Sequence, residues 1–307
     1  MIDKNTLRAG MILALCTALI SGFSNFIAKI AVTSVKNPVI FTTLKNAVVA
    51  CLLIGIILIG RSRKELRSLS KKSWVRMILI GIIGGSVPFV LYFTGLSHTT
   101  ALSASFIHKT LFIWVALLAY FFTKERFSFF QAVAFFFLIL GTAVLGGKGQ
   151  LHFGKPELMI LGATFLWAIE NIIAKHALKE VSSTLLAGSR MVFGSILLTG
   201  FVFLQGKQSL LVSLQPTQWL WTIIPAVLLL GYVLTWYAAL KRAPVTLVTS
   251  LLVPATFITT MLSGIFITKT ISSQDLVSGA CIIGAVALIS IVSLRKKTPY
   301  AADTNVA

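Results

Sequence analysis

Residues 23–31 read FSNFIAKIA and residues 169–177 read IENIIAKHA, 146 positions further on. Asn25, Ile27, Ala28, Lys29 and Ala31 recur as Asn171, Ile173, Ala174, Lys175 and Ala177. Lys45 then falls opposite Arg190 at nearly the same offset, and FTGLSHTTALSASF at 93–106 runs parallel to YAALKRAPVTLVTSL from 237. Self-similarity at a fixed spacing marks a duplicated unit, so the chain is read as two related halves, residues 1–147 and 148–307.

The solvent of those halves follows from composition. Of 307 residues, 57% are hydrophobic and 11% charged, with a mean hydropathy of +0.93, which places the chain in a membrane. A hydrocarbon core of about 30 Å needs roughly 20 apolar residues per helical span. The sequence offers ten such blocks, at 9–30, 39–60, 75–96, 101–123, 127–147, 157–178, 184–204, 218–240, 244–267 and 276–294. Blocks of that length are twice what a tilted barrel strand requires, so they are helices. The first runs about twice the apolar length of a secretory signal and has no clear small-residue cleavage site, so it is expected to be retained. Five spans per half is an odd number, so the second half crosses in the opposite sense. The expected fold is an all-α integral membrane protein of ten transmembrane helices in two inverted-topology five-helix repeats. That arrangement suits alternating access to a site near the midplane.

The net charge of +19 would point to nucleic acid in a soluble protein, but its placement argues otherwise. Of the 27 Lys and Arg, seventeen lie on the tails and even joints, seven of them within RSRKELRSLSKKSWVR at 61–76. Five lie on the odd joints and five inside spans. The positive-inside rule then sets both termini in the cytoplasm of an inner or plasma membrane, and no nucleic-acid partner is expected. Cys16, Cys51 and Cys281 all sit in apolar spans without ligand spacing and read as small buried hydrophobes. No metal or cofactor is expected. LGTAVLGGKG at 140–149 lacks the first Gly and the final Ser or Thr of a phosphate loop, and no nucleophile, base and acid set is present, so the chain is not expected to be an enzyme.

These features resemble the EamA proteins of the drug/metabolite transporter superfamily, over about 8–295. The best local match is TKERFSFFQAVAFFFLILGTAVL at 123–145, similar to that family's Gly-Glu-Arg-Leu-Ser pattern, with Lys124 in place of the usual Gly. The second half keeps the frame loosely as TKTISSQDLVSGACIIGAVAL, with Lys269 set against Glu125. A family proline in the ninth helix is matched by Pro254, and its place in the fourth by Thr110. The resemblance implies a transporter of small metabolites.

Ionisable groups inside spans are functional candidates, while long basic side chains near a span end can reach the headgroups. At 1.5 Å per residue, Lys29 and Lys45 lie near one face and Lys175 and Arg190 near the other, as gate or helix-end residues. Lys109 is about 13 Å into its span and snorkels badly from there. Glu170 is the only carboxylate well inside any span. Two readings of Lys109 stay open: an ion pair with Glu170, or a cavity cation that binds the anionic part of a substrate. His108, a further cavity candidate, points about 100° away from Lys109, as a packing residue or proton relay. Asn25 and Asn171 share a helix face with the repeat lysines, and Tyr92, Trp236 and Tyr237 lie where the resemblance places cavity walls. Pro88, Pro225 and Pro254 should bend or break their spans, and the glycines of GIIGGSVP at 81–88 permit close packing.

Five basic groups against one acidic inside the spans favour an anionic or zwitterionic substrate. The expectation is a secondary transporter, in the exporting direction, of an amino acid or organic acid. A phosphorylated-metabolite or nucleotide-sugar exchanger is the alternative within transport, and a lipid-modifying enzyme or lipid-binding scaffold the alternative of another class. The bilayer and a small-molecule substrate are the partners; homo-oligomerisation is left open.

Overall fold

A computed structural model describes residues 3–60, 62–125, 128–146 and 154–295. Among them are ten membrane-length or near membrane-length helices: α1 Lys4–Val35, α2 Pro38–Ile59, α3 Lys71–His98, α4 Ala101–Phe122, α5 Phe129–Gly146, α6 Lys155–Ala177, α7 Ser183–Leu204, α8 Pro216–Arg242, α9 Val245–Thr268 and α10 Ser273–Arg295. Among the described residues nine of these are long and apolar enough to cross a membrane and α5 is a shorter apolar helix, which fits the expected all-α membrane fold of ten helices.

Starts are written locally. Asp3, Asn37, Ser70, Thr100 and Ser182 each cap the helix that follows with a side-chain oxygen, satisfying N–H groups left over in the first turn. Matching capping boxes open α5 and α10, Ser128 with Gln131 and Ser272 with Asp275. α9 has no cap of its own, and Glu125 at the end of α4 supplies one. Its carboxylate accepts from Val245 N at 3.0 Å, Thr246 N at 3.2 Å and the Thr246 hydroxyl at 2.5 Å.

Three spans are interrupted. α3 breaks at Ser86, between Lys71–Gly85 and Val87–His98. α4 breaks at Thr110, and α9 at 251–253. The latter two breaks share a hydrogen-bond pattern. Thr110 N donates to Ile107 O as Val253 N does to Ser250 O, and Ile113 N to Thr110 O as Thr256 N does to Val253 O. This corrects the expected register by one residue: Thr110 matches Val253, and Leu111 takes the place of Pro254. Pro225, in contrast, lies inside an unbroken α8. A proline removes one hydrogen bond, and the remaining turns of that long helix carry it through.

A second correction concerns the segment after α4. Lys124 and Lys269 both adopt left-handed backbone, at φ 54° and 56°. They are therefore structural mates, and Lys269 does not stand where Glu125 stands. The same φ explains why glycine suits this position and why a lysine there is strained.

Packing follows a pseudo-twofold exchange of halves. α1 packs on α8 as α6 packs on α3; α1 on α9 as α6 on α4; α2 on α8 as α7 on α3. α2 meets its mate α7, and α5 meets α10. The halves are interleaved, so a central space is walled by both. Lipid gives little apolar drive for helix association; close approach instead uses small residues, as where Gly85 of α3 meets Gly194 of α7.

Candidate functional site

The central space is a cavity of about 70 Å³, room for more than one water. α1 contributes Ser21, Ser24 and Asn25, and α6 contributes their repeat mates Trp167, Glu170 and Asn171. α2 and α7 contribute the matched cations Lys45 and Arg190. Aromatic side chains of α3 and α8, including Tyr92 and Trp236, complete the walls with His108 of α4.

Arg190 is held by a backbone defect. Pro88 has no N–H, so the carbonyl of Gly84, four residues earlier, has no helical donor. It accepts instead from Arg190 Nε at 3.1 Å, Arg190 Nη2 at 3.0 Å and Trp167 Nε1 at 3.0 Å. The third guanidinium nitrogen donates to the Tyr237 hydroxyl at 3.3 Å. Tyr237 in turn donates to Glu170 Oε1 at 2.5 Å, while Glu170 Oε2 lies 4.0 Å from Arg190 Nη1 without a hydrogen-bond partner. A Cβ at residue 84 would stand 2.5 Å from Glu170 Cγ, so glycine is what lets this group assemble.

Lys45 differs from its mate. Its ammonium lies 3.7 Å from the ring centre of Phe93, 4.8 Å from Phe89 and 5.3 Å from Phe41. No carboxylate stands within ion-pair distance of it among the described residues. The depth count put Lys45 and Arg190 near the membrane faces; both in fact line the cavity, because a long side chain carries its charge several ångströms beyond its own Cα.

His108 and Lys109 divide as their angular offset requires. His108 faces the cavity, packed on Tyr92 and Trp167 with its Nδ1 unbonded. Lys109, expected as a cavity cation or as a partner of Glu170, faces α1 and donates to the Ser21 hydroxyl oxygen at 2.8 Å. The partners of Glu170 are Tyr237 and Arg190, so the Lys109–Glu170 pair does not form in this structure.

Lys29 and Lys175 perform one task at opposite ends. Lys29 donates to Leu96 O at 2.9 Å and Ser97 O at 3.3 Å at the end of α3. Lys175 donates to Leu240 O at 2.6 Å and Ala243 O at 2.7 Å at the end of α8. A cation on unpaired terminal carbonyls offsets the negative end of a helix. Lys29→Met and Lys175→Met are each expected to cost about 1–2 kcal/mol in nanodisc unfolding, leaving ligand preference unchanged. A change of ligand preference without loss of stability would make either one a gate instead.

Asn25 and Asn171 each tie α1 or α6 to the aromatic mate on the facing helix. The Tyr92 hydroxyl donates to Asn25 Oδ1 at 3.4 Å, and Trp236 Nε1 to Asn171 Oδ1 at 2.9 Å. Asn25 also donates to Ser105 Oγ at 3.3 Å. Both therefore combine packing with cavity lining. Sequence reasoning passed over Ser21, Ser24, Trp167 and Tyr232. Helical spacing could have found all four, since each lies about one helical turn or less from a residue that reasoning had singled out.

The arrangement can hold a small solute by charge and by aromatic contact. Among the described residues no group of His, Cys, Asp or Glu stands close enough to form a metal centre.

Residues 8–147 and 154–291 each match the model of the EamA-like transporter family. Among curated relatives, an uncharacterized transporter of Methanothermobacter thermautotrophicus is 20% identical over 48% of this chain and 45% of its own length. One of Archaeoglobus fulgidus is 26% identical over 46% and 50%, and the uncharacterized transporter YyaM of Bacillus subtilis 24% over 49% and 50%. The chain thus spans about half the length of the curated relatives it matches. A crystal structure that bears no functional description superposes with a TM-score of 0.71 at 18% identity, over 95% of this chain and 99% of its own, which speaks to the fold alone. With both halves matched and ten helices in the arrangement described, the chain belongs to the EamA-like transporter family.

Proposed function

We propose that this membrane transporter moves a small carboxylate-bearing metabolite, an amino acid or organic acid, outward across the plasma membrane. The observation that carries the reading is Lys45, a cation buried in the central cavity among three phenylalanine rings, with no carboxylate partner among the described residues. A solute carboxylate supplies the missing counter-charge. Glu170 Oε2, buried and unbonded, offers a place for a substrate ammonium, and the aromatic walls suit an apolar side chain. A doubly charged phosphate fits less well, because Glu170 already opposes Arg190 in the same space. Uptake into proteoliposomes across a panel of amino acids, organic acids and phosphorylated metabolites tests the reading. Flux of carboxylates that depends on the protein supports it, and flux of phosphates alone overturns it.

The basic face is assigned to the cytoplasm by the positive-inside rule. It carries a latch that ties the α2–α3 joint and the start of α3 to the α6–α7 joint. Glu65 Oε1 accepts from Ser182 N at 2.5 Å, and Glu180 accepts from the Ser73 hydroxyl at 2.8 Å and Arg76 Nη1 at 2.9 Å. These bonds close that face, and alternating access requires them to break. The Ser73 hydrogen bond first, and Arg76 after it, hold the Glu180 carboxyl below its ordinary value. A depressed carboxylate contributes above its unfolded pKa and loses that contribution as pH falls through the folded one. The latch is therefore complete at neutral pH and weakens only on acidification below the ordinary glutamate range. Glu180→Gln should speed maleimide labelling of a cysteine placed at Ser24, applied from the basic face, at neutral pH; unchanged labelling would remove the latch role.

A further inference from the structure

Hydroxyls inside these spans mostly donate back one helical turn, as Thr17, Thr42, Thr43 and Thr164 do. Ser21 does not. Its hydrogen bond among the described residues is the one it accepts from Lys109 Nζ. An ammonium has donors and no acceptor, so this bond fixes the Ser21 oxygen toward α4 and leaves its proton uncommitted. Ser21 lines the cavity on the same face of α1 as Ser24 and Asn25.

Lys109 is 1% exposed, with no carboxylate in ion-pair range among the described residues. It is the last residue of the first segment of α4, where terminal carbonyls favour a cation. A lysine so placed stands just behind the cavity wall and reaches the cavity through Ser21 rather than directly.

We propose that the α1 wall is an anion subsite in which Ser21 donates its hydroxyl proton to a ligand carboxylate, while Lys109 is the positioning residue that orients that hydroxyl. The proposal rests on the reading that small carboxylates enter this cavity. It adds to Lys45 a neutral donor whose direction is set from behind, so discrimination between a carboxylate and an uncharged isostere is shared by α1, α2 and α4.

The test uses phenylacetate and its uncharged isostere phenylacetamide, with binding to the full chain in nanodiscs measured by equilibrium dialysis. The unaltered protein should prefer the carboxylate. Ser21→Ala should lower that preference about tenfold or more while leaving amide binding in place, and Ser21→Thr should keep it. Lys109→Met should lose about as much as Ser21→Ala, and the double variant no more than either single one, as expected of a residue that acts through another. Should Lys109→Met bind neither probe and so fail to fold, Lys109→Gln replaces it; that variant keeps a donor to Ser21 and should keep most of the preference. An undiminished preference in Ser21→Ala overturns the subsite. Additive losses in the double variant, or loss of preference in Lys109→Gln, overturn the positioning role. No carboxylate preference in the unaltered protein overturns the anion cavity itself, and the subsite with it.

Discussion

Arg190→Met is expected to lower the stability of the folded protein by about 3–5 kcal/mol, measured by unfolding in lipid nanodiscs. The loss has three sources. Glu170 remains buried with its nearest cation gone, the Gly84 carbonyl keeps Trp167 as its sole side-chain donor, and Tyr237 loses the guanidinium it accepts from. Removing Glu170 as well, in Arg190→Met/Glu170→Gln, should restore part of the stability, because the uncompensated charge goes with it. Arg190→Lys should not rescue, since a single ammonium cannot reach the carbonyl twice and the phenol once in the planar geometry of a guanidinium. A loss below about 1 kcal/mol for Arg190→Met would mean that this group is assembled for something other than holding α3, α6, α7 and α8 together.

Lys45→Met is expected to do the reverse. Stability should hold or rise, because the variant swaps a buried cation that has no carboxylate partner among the described residues for an apolar chain of similar length among phenylalanine rings. Carboxylate transport, measured in proteoliposomes, should fall by about a hundredfold or more, the size expected when a charged hydrogen-bonded contact to the solute is lost. Lys45→Arg keeps the charge and should retain measurable transport. If Lys45→Met transports carboxylates normally, the solute finds its counter-charge elsewhere, and Ser21 with Lys109 becomes the first place to look.

The number of helices, their duplication and their inversion were legible because lipid admits few alternatives: apolar length dictates a span, and an odd number of spans per repeat dictates inversion. Which polar residues meet was less so. Counting residues from a span end locates a Cα, and this sufficed for Lys29 and Lys175, whose partners are the nearest helix ends. It misplaced Lys45 and Arg190, whose charges lie a side chain's length away. It also kept both His108 and Lys109 as cavity candidates, because two adjacent positions share a depth and differ only in direction. The role of Gly84 was not legible at all, since it depends on a proline four residues later and a partner more than a hundred residues away.

The backbone defect at Pro88 has a consequence for energetics as well as for geometry. One of the two matched cations is bolted to main chain, and the other rests against rings that grip it weakly. Exchanging the conformations of the two halves therefore does not return an equivalent molecule. In the alternating-access cycle proposed above, the two end states are therefore expected to differ in free energy before any solute or gradient is present.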